Sequence, residues 1–267
     1  MDPKGVLQNW VEGSKAPCGW NGVFCSAAGG QVQALNLSNM GLVGRLNIDW
    51  LMALPELRQL DLHGNFFYGN LSYGGIGNSS ASISCGLEMV DLSSNNLSET
   101  ISSSFLVSCP NLSFLNLSRN SISNGVFPFG ASLRTLDVSR NKISDDGLLS
   151  YSLSSCGGLR YLNLSDNKFA GKLRPLSTSC TELAVLDLSV NSISGEIPAN
   201  FFSAVPMSLV QLNLSHNNLS GDLFDFNFVG CGNITYLDIS NNGLRGIGLP
   251  ASLASCRQLE FSRLRRQ

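Results

Sequence analysis

One pattern constrains this chain more than any other feature. The eleven-residue unit L-x-x-L-x-L-x-x-N-x-L reads LRQLDLHGNFF at residues 57–67, LEMVDLSSNNL at 87–97 and LSFLNLSRNSI at 112–122. It continues as LRTLDVSRNKI, LRYLNLSDNKF, LAVLDLSVNSI, LVQLNLSHNNL and ITYLDISNNGL, ending at Leu244. A degenerate first copy, VQALNLSNMGL, starts at Val32 and carries Met40 in place of the asparagine. The anchors are Met40, Asn65, Asn95, Asn120, Asn141, Asn167, Asn191, Asn217 and Asn242, at intervals of 25, 30, 25, 21, 26, 24, 26 and 25 residues. The L-x-L core of each copy alternates inward and outward side chains, as a short strand does. One copy cannot bury its own apolar face, so neighbours must stack to make a core. Leu62, Leu92, Leu117 and their equivalents are therefore core. An asparagine placed after the strand has an amide able to satisfy backbone groups of its own and the adjacent turn.

This pattern resembles the leucine-rich repeats, and the expected fold is an α/β solenoid: a horseshoe or superhelix with a parallel sheet on its concave face. The reading divides the chain into a cap at 1–31, nine repeats plus the start of a tenth at 32–256, and an aberrant basic tail at 257–267. Segments such as Ser194-Gly195-Glu196-Ile197-Pro198 resemble the L-x-G-x-I-P extension of the plant extracellular class. Gly44, Gly171, Gly195, Gly221 and Gly246 fall near its glycine. The N-terminal Cys18-Gly19-Trp20-Asn21-Gly22-Val23-Phe24-Cys25 resembles the cysteine-paired cap of plant receptor ectodomains. In that class a further helix and a secretory signal precede this point; here no apolar leader follows Met1-Asp2-Pro3.

The remaining six cysteines stand two or three residues before the first strand position of their repeats. Adjacent strands lie ~4.8 Å apart, and a disulfide spans Cα atoms roughly 4.4–6.8 Å apart. That geometry selects Cys85–Cys109, Cys156–Cys180 and Cys231–Cys256, beside Cys18–Cys25 in the cap. Six buried thiols are the alternative. Ten N-x-S/T sequons agree with an oxidising, extracellular setting: Asn36, Asn70, Asn78, Asn96, Asn111, Asn116, Asn163, Asn213, Asn218 and Asn233. Several arise from the strand consensus itself; Asn78 sits in a Gly/Ser-rich loop.

Closer still, DPKGVLQNW, CGWNGVFC, ALPELRQLDLHGNFF and VGCGNITYLDIS resemble the first repeats of the brassinosteroid receptor-like kinases. The resemblance implies a ligand- or protein-binding ectodomain segment at the cell surface, with a protein or peptide ligand or a co-receptor as partner. In that family steroid binding uses an island inserted far along a longer solenoid. Nothing in this sequence matches the island, a membrane span or a kinase signature, so no steroid binding is expected of it, and membrane attachment would come only through downstream parts. A secreted inhibitor of microbial wall-degrading enzymes is the alternative reading. Its family keeps more regular spacing and a C-terminal cysteine cap.

Composition excludes other classes. Seventeen Lys and Arg against nineteen Asp and Glu give a net charge of -2, which offers no electrostatic footprint for nucleic acid. With no C-x-x-C and two histidines, a metal site or other cofactor is not expected. The outward mid-strand column Asn36, Asp61, Asp91, Asn116, Asp137, Asn163, Asp187, Asn213 and Asp238 is consensus, not an acid/base pair. His63 and His216 are six repeats apart, too far to share a metal or a triad. No enzyme is expected. The candidate recognition patch is Phe114, Arg119, Arg134, Arg140, Arg160, Tyr161 and Asp166, since aromatics and arginines are enriched at interfaces.

Overall fold

The computed structural model describes residues 1–267 except 12, 14–16, 28–29, 53, 72–84, 102, 126–131, 145–155, 177–178, 202–205, 247–249 and 265–267. The chain forms two compact units, Met1–Leu133 and Arg134–Gln267. Each is a β-solenoid whose repeats contribute a short parallel strand to a main sheet.

In the first unit the main sheet holds Val32–Asn36, Gln59–Asp61, Met89–Asp91 and Phe114–Asn116, paired in that order. In the second it holds Thr135–Asp137, Tyr161–Asn163, Val185–Asp187, Gln211–Asn213, Tyr236–Asp238 and Phe261–Arg263. Register follows the sequence pattern: Leu60 faces Val90, and Leu162 faces Leu186. A one-residue slip would turn every leucine to solvent. The inward leucines are sealed; Leu57, Leu60, Leu115, Leu162, Leu186 and Leu212 are all within 1% of complete burial.

The segment read as an aberrant tail contributes its own strand, Phe261–Arg263, with Ser262 opposite Leu237. Its main chain continues the ladder although one core side chain is missing, because parallel pairing is a backbone property.

The pattern did not announce a second sheet. Beyond the asparagine the chain extends again, as Val43–Arg45, Phe66–Leu71, Asn96–Ile101 and Ser121–Gly125 in the first unit. Ala170–Lys172, Ser192–Glu196, Asn218–Asp222 and Gly243–Arg245 do the same in the second. Helix is reduced to short turns such as Ile48–Met52 and Ser103–Ser108. Behind the leucines, Phe105 in the first unit and Phe169, Phe201 and Phe228 in the second are fully buried. They fill the width that two thin strands and an irregular return leave open.

At the N-terminus, Val23–Cys25 pairs antiparallel with Val32–Asn36, covering the edge of the first repeat. Trp10 stacks on Trp20 with centroids 5.0 Å apart, and its indole N–H donates to the Asn21 carbonyl at 3.0 Å. The Asp2 carboxylate accepts from the amides of Leu7 and Val6 at 2.7 and 2.9 Å. These bonds, the Leu7 bond above all, hold its pKa below the ordinary aspartate value.

Candidate recognition face

The outward positions of the main sheet sort into columns that the fold consumes and columns that it leaves free. The asparagine ladder is consumed. Asn191 Oδ1 accepts from the Phe169 amide at 3.0 Å, while its Nδ2 donates to the carbonyls of Leu164, Leu188 and Ser189 at 3.0–3.1 Å. Asn65, Asn95, Asn120, Asn167, Asn217 and Asn242 bridge their neighbours in the same way. Among the described residues no buried side-chain polar atom lacks a partner.

The Asp/Asn column is consumed too. Asp61, Asp91, Asp137, Asp187 and Asp238 each accept, through Oδ1, the amide two residues on, and Asn36, Asn116, Asn163 and Asn213 do likewise. These are Asx turns, and they bend the chain out of the strand. That local bond explains why Asp and Asn alternate freely in the column: both supply the acceptor. His63 is held within the turns, its Nδ1 donating to Asp61 at 2.7 Å and its Nε2 accepting from the Asn39 amide at 2.7 Å. His216 meets Asn241 at 3.1 Å. Among the described residues no group of three or more His, Cys, Asp or Glu is placed to hold a metal ion, and no helix is long and apolar enough to cross a membrane.

One position further, each turn passes through the left-handed region. The residues there are Asn39, Gly64, Ser94 and Arg119 in the first unit, and Arg140, Asp166, Val190, His216 and Asn241 in the second, with φ from 52° to 68°. Asn, Asp, His and Gly suit this conformation; arginine and above all β-branched valine do not. Val190 is nonetheless 45% exposed, so burial does not compensate it.

The candidate patch divides between the units. In the first, Phe114 lies half-buried in its strand, and Arg119 is exposed at its turn. In the second, the three arginines have three different settings. Arg134 lies across the next repeat: a Cβ added at Gly158 would stand 1.2 Å from its Nη1, so the guanidinium occupies the space that a side chain there would take. Arg58 does the same over Gly86 in the first unit. Arg160 is tied to Glu182 through Nη2 and Nε at 2.9 and 3.0 Å. Arg140 is exposed, its Nε 3.9 Å from the Asp166 carboxylate. Tyr161 is half-buried, its hydroxyl oxygen accepting from Asn163 at 3.3 Å; burial pushes its pKa above the ordinary tyrosine value. Sequence reasoning missed Tyr236 and Phe261, which stack in parallel with centroids 4.6 Å apart, with Arg263 over the Phe261 ring at 5.3 Å. They occupy the Tyr161 column, and that shared column was the available signal.

All eight cysteines are paired: Cys18–Cys25, Cys85–Cys109, Cys156–Cys180 and Cys231–Cys256, with Cα separations of 5.6, 4.6, 4.7 and 4.9 Å. The sequons present three settings. Asn96, Asn111 and Asn218 are exposed. The amides of Asn116, Asn163 and Asn213 donate to Asp91, Asp137 and Asp187 of the preceding repeats, Asn70 donates to Glu99, and Asn233 donates to the Met207 carbonyl. Asn36 is exposed in its Asx turn. Asn78 lies outside the described residues.

Stacked parallel strands, an asparagine ladder and a cysteine-paired cap define a stacked repeat protein of solenoid form. The chain belongs to the leucine-rich-repeat family. The leucine rich repeat N-terminal domain matches residues 1–26, and leucine rich repeats match 86–107, 131–150, 158–180, 182–204, 208–227 and 233–256. It is 51% identical over 254 residues to the brassinosteroid LRR receptor kinase BRL3 of Oryza sativa subsp. japonica, covering 94% of this chain and 20% of the relative. Over 236 residues it is 36% identical to the serine/threonine-protein kinase BRI1-like 1 of Arabidopsis thaliana, covering 88% and 16%. The chain thus spans a fifth or less of the length of these relatives. Among solved structures, PEPR1–AtPEP1 superposes with a TM-score of 0.75 at 25% identity, covering 97% of this chain and 35% of that one. A plant ice-binding protein shares the fold alone, with a TM-score of 0.57 at 22% identity over 97% of this chain and 90% of its own.

Proposed function

We propose that this chain is a ligand-recognition segment of a plant cell-surface receptor kinase of the brassinosteroid-receptor kind, acting outside the cell and binding a protein or peptide partner. The observation that carries this reading is the sorting of the outward columns. The Asn and Asp columns are spent on backbone, whereas the turn column of the second unit exposes Arg140, Asp166 and Val190, and for Arg140 and Val190 the left-handed conformation costs stability. Residues retained against local preference on an open face are what a recognition surface requires. The similarity to receptor kinases over 94% of the chain supports the same reading, as does the likeness to a receptor solved with a partner, PEPR1–AtPEP1. In this reading the chain itself catalyses nothing; kinase activity belongs to parts of the relatives beyond the aligned fifth. The pairing of every cysteine and the exposed sequons Asn96, Asn111 and Asn218 suit secretion.

The test is an ectodomain interaction screen with secreted protein, repeated with Arg140→Ser. A partner lost or weakened by that change, with melting unchanged, supports the reading. A variant that binds every detected partner as wild type does would reduce the turn column to a solvated face. Calorimetry with brassinolide should show no saturable binding to this chain, and a stoichiometric sub-micromolar interaction would overturn that part.

A further inference from the structure

The second sheet of the first unit carries a feature that its counterpart in the second unit lacks. Phe66 and Tyr68 lie two residues apart on one strand face, 61% and 47% exposed. Parallel pairing sets Arg45 opposite Tyr68 on one side and Asn96 opposite it on the other. Gly69 presents no side chain, and the stem of Arg45 lies against it; a Cβ there would stand 3.2 Å from Arg45 Cγ. The result is an open depression of about 480 Å³ lined by Arg45, Tyr68, Asn70, Asn96, Ser98 and Glu99. A second depression of about 340 Å³, with Asn47 and Asp49 in its wall, shares Arg45 and Asn70 with it. Both volumes fall in the range of small-ligand sites, roughly 300–1,000 Å³.

We infer that this groove and the strand face beside it bind a neutral oligosaccharide chain, one pyranose ring laid on Tyr68 in the groove and the next on Phe66 beyond its edge. A sugar hydroxyl both donates and accepts: Asn96 offers an amide donor beside a carbonyl acceptor, the Asn47 amide donates while its oxygen accepts from the Asp49 N–H, and Asn70, bonded to Glu99, holds that carboxylate in the wall opposite the donating Arg45. The C–H face of a pyranose matches the electron-rich face of an aromatic ring. Two rings at positions i and i+2 stand ~7 Å apart along the strand, which suits a chain of linked sugars rather than one. Charge selects a neutral sugar: one guanidinium faces the carboxylates of Glu99 and Asp49, so an anionic polymer meets net repulsion. A protein partner is the competing occupant, since Tyr, Phe and Arg are enriched at interfaces, but here they are ringed by Asp49, Ser98 and Glu99, and Asp, Glu and Ser are depleted from interface cores. Nor does the fold require the aromatics, since the second unit builds the same sheet with Ala170, Ser192, Ser194 and Ser220.

The test uses the full chain made in a bacterial periplasm, so that no N-glycan occupies Asn70 or Asn96. Cellohexaose, chitohexaose and hexagalacturonic acid are titrated by calorimetry. At least one neutral hexasaccharide should bind with a sub-millimolar Kd. Tyr68→Thr should weaken it about tenfold, the scale of one aromatic contact, and Phe66→Thr with Tyr68→Thr should abolish it. As a check independent of substitution, nuclear Overhauser effects should connect sugar C–H protons with the Tyr68 and Phe66 rings of the unaltered protein. The inference is overturned if neither neutral sugar binds, if the double variant binds equally well, if hexagalacturonic acid binds more tightly than both neutral sugars, or if the double variant loses a protein partner and no sugar.

Discussion

The second sheets of the two units are the same structure written with different residues. In the first unit Phe66, Phe67 and Tyr68 directly follow the asparagine; in the second, that place holds Lys168-Phe169-Ala170 or Ser192-Ile193-Ser194, so the outward aromatics are absent there. Both sheets are parallel, and in both a strand turns a sealed aliphatic inward two residues after the ladder asparagine, Leu97 in one and Ile193 in the other. The difference shows what the architecture demands and what it leaves open. It demands the inward aliphatic and the ladder asparagine. The outward residues are free, and what stands there reflects recognition or chance, not folding.

That contrast can be broken by experiment. The largest effect should come from a demanded position. Asn191→Ala strips one amide of four backbone bonds and leaves buried carbonyls and the Phe169 N–H unpaired. We expect a loss of 3 kcal/mol or more, at about 1–3 kcal/mol per orphaned group, read by denaturant unfolding. A loss below 1 kcal/mol would mean that water replaces the ladder. Next is the Cys156–Cys180 crosslink, which closes a separation of 24 residues. Replacing both with alanine should cost about 3 kcal/mol, and non-reducing peptide mapping of secreted protein should recover this bridge together with Cys85–Cys109 and Cys231–Cys256.

Val190→Asn should act in the opposite direction. It relieves a β-branched residue at φ 53° and should stabilise by ~1 kcal/mol; if binding to a partner falls as stability rises, the strain serves recognition. A smaller effect is expected from Phe66→Thr with Tyr68→Thr, which keeps β-propensity and should move stability by no more than ~0.5 kcal/mol per site. A loss of several kcal/mol would show that the first unit depends on its aromatics, and would break the contrast. The smallest effect concerns Tyr161. Burial raises its pKa above 10.0, so the folded state holds the phenolic proton longer than the unfolded state. The associated stability is complete below about pH 10 and is lost as pH rises further. Tyr161→Phe should flatten that alkaline decline without changing stability at pH 7 by more than the loss of one weak hydrogen bond.

The sequence by itself determined the period, the strand register, the core leucines and the asparagine ladder. Each follows from an alternation of two and a spacing near 25, and a stacked repeat has one way to bury that pattern. The same spacing placed the cysteines within disulfide reach of their neighbours. Tertiary structure decided the rest. The eleven-residue unit says nothing of its free tenth position, Phe66, and stops before Tyr68, so their shared outward face shows only when the next repeat lies beside them. Phe201 and Phe228 sit in stretches without a period, and their burial depends on the width of the return path. Arg134 looked like part of an exposed basic patch. Only three-dimensional stacking shows it laid across Gly158, because a pattern records which residues repeat along the chain and not which side chain covers a gap in the following turn.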